Sequence, residues 1–144
     1  MGEPLTDGPR APESVPAAPE NRVSGLIPFV HVRDVGRSIA FYHHLGFVVT
    51  SVYMYRGDPA WAELSSGGAV LMVSTGDPVD QADQGILFYL YSNDLAALRR
   101  QLLAVGEIED GTPGPREQMQ LADPDGYVLK IAQIEPTEAA EVGA

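Results

Sequence analysis

The chain has 144 residues, no cysteine and a net charge of -11 at pH 7, with a hydrophobic fraction of 44%. One domain with a real core fits those figures, while disulfides, thiolate metal sites and cysteine nucleophiles are excluded. Residues 25–135 hold fourteen acids against seven bases, so the acidity is not confined to the ends and argues against a nucleic-acid partner.

Residues 1–24 contain five prolines and almost no large apolar side chains, and are expected to stay disordered because they cannot bury enough surface to offset ordering. Leu26 to Phe47 then reads as strand, capped helix, glycine and strand. Ile27, Phe29 and His31 alternate with Val30 and Val32, the period of a β ribbon. Asp34 stands at a helix N-cap. Val35, Ile39 and Tyr42, with Phe41 and Leu45, form an apolar helical stripe that Gly46 ends.

Phe47 to Tyr55 is predicted as a strand, and Arg56-Gly57-Asp58-Pro59 as a turn. Trp61 to Leu64 and Ala69 to Ser74 pair as a hairpin across Ser65-Ser66-Gly67-Gly68. Residues 75–84 are a polar linker. A second unit follows: strand Ile86 to Tyr91, cap at Asn93 or Asp94, and helical stripe Leu95, Leu98, Leu102, Val105, ended by Gly106. Its first return strand is placed within 107–111. Gln118 to Ala122 and Tyr127 to Ile134 make the last hairpin around Asp123-Pro124-Asp125-Gly126, and 136–144 form a flexible tail. A shift of 60 residues carries Asp34 onto Asp94 and Gly46 onto Gly106, which marks a duplicated supersecondary unit (25–75 and 85–135) inside one domain. No apolar run approaches the roughly 18 residues of a membrane span, and the first residues lack a basic segment before an apolar one, so a cytoplasmic protein with no membrane partner is expected.

Two βαβββ units, with VRDVGRSIAFYHHLGF at 32–47 and DPDGY at 123–127, resemble the vicinal-oxygen-chelate superfamily of glyoxalases, extradiol dioxygenases and bleomycin-resistance proteins. The resemblance implies an α+β fold of paired βαβββ modules forming a curved mixed β-sheet cup, and a homodimer. A ferredoxin-like βαββαβ domain has similar helix spacing and is the competing fold. The resemblance also implies where metal ligands would stand: Ile27, Met72, Leu87 and Lys130. None offers the imidazole or carboxylate that a divalent ion needs, so no metal and no cofactor are expected. His31 with Glu63 is the alternative donor set. His43 and His44, neighbours about 100° apart on a helix, cannot converge on one ion.

Strand alternation places Phe29, His31, Met72, Leu87, Tyr89, Tyr91 and Lys130 inside the cup, with Trp61 near Tyr53 and Tyr55 at its rim. Such a wall, apolar and aromatic with few polar groups, suits a small-molecule site, and it equally suits plain core filling. The resemblance to the metal-free bleomycin-resistance-like branch implies sequestration of an aromatic or cationic ligand without chemistry. A glyoxalase- or dioxygenase-like enzyme, acting through an unusual metal site or through His31 with Tyr89 or Lys130, is the alternative. A protein-interaction module using its exposed sheet is a third.

Overall fold

A computed structural model describes residues 15–17, 19–109 and 118–134 of the chain. The expected disordered segment up to residue 14 and the tail from 136 lie outside the described residues, while 19–28 run without regular structure. Two modules follow. The first contains β1 (Phe29–Val32), α1 (Val35–His43), β2 (Val48–Tyr55), β3 (Asp58–Ser66) and β4 (Ala69–Thr75). A single 3-10 turn, Gln81–Asp83, interrupts the polar linker. The second module contains β5 (Phe88–Ser92), α2 (Leu95–Ala104), β6 (Gln118–Ala122) and β7 (Val128–Gln133).

Each module is a mixed sheet of the same design. The first runs β1-β4-β3-β2 and the second β5-β7-β6. In both, the opening strand lies parallel to the closing one, and the remaining pairs are antiparallel. Two separate mixed sheets carrying one helix apiece match the paired-module α+β fold and rule out the single sheet of a ferredoxin-like domain. The second module's counterpart of β2 belongs between α2 and β6. There, residues 107–109 are not a strand, and residues 110–117 lie outside the described region.

Both helices begin as expected, with the Asp34 carboxylate accepting from the Arg37 amide and the Asp94 carboxylate from the Ala97 amide. Gly46 and Gly106 end the helical turns with φ of 99° and 81°, values that residues with a Cβ rarely adopt. The turn expected over four residues, Arg56 to Pro59, is shorter. Arg56 (φ 51°) and Gly57 (φ 87°) make a two-residue hairpin loop, and Asp58 and Pro59 already pair with Tyr55 and Met54. Two positive φ values match the twist of the flanking strands, and Arg56 lies over the Tyr55 ring at 5.2 Å.

One hydrophobic core spans both modules. Val32, Ala62, Leu64, Leu71 and Val73 cover the helix side of the first sheet. Met119, Leu121, Leu129 and Ile131 do so for the second, and Tyr42, Phe41 and Phe47 join that cluster from the first module. The modules are also tied by polar bonds from the Asp123–Tyr127 turn. Tyr42 Oη donates to Asp123 Oδ2 at 2.7 Å, the Arg33 amide donates to Asp125 at 2.9 Å, and Tyr127 Oη donates to the His31 carbonyl at 2.9 Å. Asp123 Oδ1 in turn accepts from the amides of Asp125 and Tyr127. The Arg33–Asp125 ion pair at 3.5 Å leaves the arginine 68% exposed, so the amide bond, not the charge, holds that contact. Among the described residues no helix is long and apolar enough to cross a membrane.

Burial raises the Tyr42 hydroxyl pKa, and the neighbouring Asp123 raises it further. Burial likewise holds the Asp123 carboxyl above its usual 3.8, although hydrogen bonds from Tyr42, Tyr127 and Asp125 pull it back. A carboxyl raised in the folded state stabilises fully below its unfolded pKa and loses that contribution as pH climbs through the folded value. The stability advantage of wild type over Asp123→Asn, which cannot ionise, should therefore shrink as pH rises above the usual carboxylate range. Urea midpoints at each pH measure it, and a widening gap would contradict burial as the leading cause.

Candidate functional site

The helix-side residues of β3, β4, β6 and β7 are buried, those of β1 and β5 are buried or half-buried, and β2 is exposed along its whole length; the alternate residues face the open side of the sheets. On the first sheet, register sets Phe29, Met72, Glu63 and Ser51 in one row. His31, Ser74, Trp61 and Tyr53 form the next. On the second sheet, Tyr89, Lys130 and Gln120 form a row, followed by Tyr91, Ala132 and Gln118. Seven of the eight expected site residues thus occupy open-side positions on the strands. Leu87 is the eighth and sits just before β5 begins.

Between the modules lies an open cleft of about 650 Å³. Its first-module wall includes Leu26, Phe29, His31 and Val70, and its second-module wall Ile86, Leu87 and Tyr89. At its base are buried side chains of the core, among them Tyr42, Phe47, Tyr127 and Leu129. Of the expected set, Phe29, His31, Leu87 and Tyr89 line this cleft, whereas Trp61, Met72, Tyr91 and Lys130 stand beyond it on the open faces. Under the 60-residue shift Phe29 corresponds to Tyr89 and His31 to Tyr91, so the walls are repeat-related but chemically different.

Several groups in the cleft hold fixed positions. The edge of the Phe29 ring meets the His31 ring, with centroids 5.8 Å apart and planes at 83°. On its other side His31 rests against the bare Cα of Gly76. A Cβ there would come within 2.8 Å of His31 Cδ2, closer than real contacts allow. Tyr89 and Tyr91 pair at 5.4 Å between centroids, and Gln118 Nε2 donates to Tyr89 Oη at 2.6 Å.

Two further contributors are Gln84, which belongs to no motif, and Tyr127, which closes the DPDGY motif. Gln84, in the polar linker, accepts from the Val128 amide at 2.9 Å and donates to the Val128 and Ile86 carbonyls. Its side chain thereby satisfies the backbone of Val128 just ahead of the β5–β7 pairing and draws the linker into the cleft wall. Tyr127 Oη accepts from the Val79 amide while donating to His31. Apart from the local Gln84–Ile86 contact, these bonds join residues 44 to 96 positions apart, so only the fold brings them together.

Among the described residues the donor chemistry does not fit a divalent ion. Ile27, Met72, Leu87 and Lys130 have no suitable atoms, and among the described residues no three His, Asp or Glu side chains cluster. Glu63 Oε1 is engaged by Thr50 Oγ1 at 2.8 Å. It lies on β3, separated from His31 by β4, a spacing of about 10 Å between strand axes.

The profile of the Glyoxalase/Bleomycin resistance protein/Dioxygenase superfamily matches residues 26–131. The chain belongs to that superfamily. Two solved structures of the superfamily type share 27% of their residues with it at a TM-score of 0.57. One is a bleomycin resistance determinant encoded on the transposon Tn5, and the other a bleomycin-binding protein complexed with bleomycin. Each alignment covers 78% of this chain and 99% or 100% of the other. An antibiotic-binding protein from Streptomyces sp. CB03234, 22% identical at a TM-score of 0.56 over 78% of this chain and 98% of its own, shares the fold. No curated protein matches the chain significantly.

The seat under His31 gives a direct test. Gly76→Ala should displace the imidazole, at a stability loss of about 1–3 kcal/mol for overpacking, while the sheet survives. The His31 ring resonances should move by NMR with the backbone amides of β3 and β4 little changed. Unmoved ring signals would show that Gly76 does not set the histidine's position.

Proposed function

We propose that this superfamily member is a cytoplasmic, metal-free small-molecule binding protein of the bleomycin-resistance-like kind, which sequesters an aromatic or cationic ligand without turning it over. The observation that carries the reading is the aromatic cleft between the modules, in a chain 27% identical over nearly the full length of a protein solved with bleomycin bound. Phe29, His31, Leu87 and Tyr89 would make the first contacts, with Tyr91, Met72, Trp61 and Lys130 on the adjoining open faces. Flat rings supply large contact area at small entropic loss, and tyrosine hydroxyls orient what they hold. Isoleucine, methionine, leucine and lysine at the positions where relatives would hold metal ligands support capture over metal chemistry.

The open faces support a homodimer. Phe29 is 52% exposed, Tyr53 60% and Tyr91 65%, and contiguous apolar surface of this kind is usually an interaction or ligand site. Light scattering should give twice the 15.4 kDa chain mass, and a monomer at micromolar concentration would remove this part of the proposal.

Bleomycin is the first probe, followed by calorimetric titration of other planar antibiotics. Tyr89→Ala and Tyr91→Ala should each weaken a bound ligand by about 1–3 kcal/mol, the loss of one stacked ring. Unchanged affinity in both variants would sink the aromatic-cleft reading. Elemental analysis of the purified protein should find no stoichiometric Ni, Zn, Mn or Fe, and one such ion per chain would favour an enzyme instead.

A further inference from the structure

We infer that the open face of the β5-β7-β6 sheet recognises an acidic oxygen group, such as a carboxylate, sulfonate or phosphate, on an aromatic ligand, with Lys130 as its charge partner. The inference rests on the capture reading and narrows its ligand class.

Lys130 projects from β7, the middle strand, and is half-buried between Tyr89 on one neighbour and Gln120 on the other. The chain carries 20 acids against 9 bases, yet among the described residues no carboxylate pairs with this lysine. Among the described residues, the paired strands present Tyr89, Tyr91, Gln118, Gln120 and Ala132 around it on the open face, and no acid. With its stem packed on the sheet and no carboxylate beside it among the described residues, the ammonium is available to an anion.

A second donor stands beside it. Tyr89 starts on β5 in the same row as Lys130, and its hydroxyl meets Gln118 on β6. The side chain therefore crosses β7, where Ala132 is small enough to lie beneath it. Because Tyr89 Oη accepts the Gln118 amide proton, its own proton is free to be donated outward. An ammonium and a phenol on one face make a charge-assisted pair of donors for an oxyanion, with the tyrosine rings beside them for the aromatic body. Gln118 is a positioning residue, since it fixes where that hydroxyl points.

Two fluorescent probes with the same ring system separate the claims: anilinonaphthalene sulfonate, which carries the anion, and N-phenylnaphthylamine, which does not. Wild type should bind the sulfonate about tenfold more tightly than the amine at low salt, a preference falling to about twofold or less in Lys130→Met, where salt ceases to matter. Gln118→Leu should lower sulfonate affinity several-fold and leave the amine unaffected, a selective change that general loosening of the sheet would not produce. Equal binding of both probes by wild type, or an undiminished preference in Lys130→Met, overturns the anion site while the capture reading stands. Failure of both probes to bind overturns the two together.

Discussion

The buried bond between Tyr42 and Asp123 is the constraint on which the placement of the two modules depends. Asp123 is the pivot of a turn whose carboxylate accepts from two of the turn's own amides and from a tyrosine of the other module. Once that turn is fixed, Tyr127 is delivered to the His31 carbonyl and Asp125 to the Arg33 amide. Partners removed from water carry a large penalty when one is lost, so the three contacts stand or fall together. Without them the shared apolar cluster alone would set the angle between the sheets, and apolar packing is non-directional.

That angle determines the cleft. Its walls are the edges of β1 and β5 with the chain leading into each, and its base is the core where Tyr42 and Tyr127 sit. Recognition in the proposed site would rest on shape and ring faces, because the hydrogen-bonding groups that reach the cleft are few and mostly engaged. Tyr127 bonds to two backbone groups, and Gln84 to three. His31 is held by Phe29 and Gly76, neither of which uses its ring nitrogens. The His31 ring nitrogens and the outward proton of the Tyr89 hydroxyl would therefore be the polar groups left to choose among ligands of similar shape.

The sequence made local structure and sheet facing legible for specific reasons. Asp34 and Asp94, 60 residues apart, each precede an apolar helical stripe, and both cap as the chemistry requires. Alternation around Val30, Val32, Leu71, Val73, Leu129 and Ile131 settles which side of each strand is buried, and hence that Phe29, Tyr89 and Lys130 face outward. The shortened turn at Arg56-Gly57 was hidden because Asp58-Pro59 has the composition of a loop, whereas edge pairing with β2 accepts a proline. Which outward residues share one hollow depends on strand order and on how the modules meet. For that reason Trp61, Met72 and Lys130 could be assigned a face but not a neighbour. The seat at Gly76 was equally hidden, because a close approach across chains of atoms leaves no periodic trace.

Duplication gives the cleft an approximate twofold character, and substitution has since removed it. Where one wall carries Phe29 and His31, the other carries Tyr89, and the counterpart of His31, Tyr91, stands outside the cleft. A hollow with identical halves would admit a flat guest in either of two flipped orientations, which splits occupancy and blurs selection. With an imidazole on one wall and none on the other, the two orientations would differ in energy, and a lopsided guest would be seated one way round.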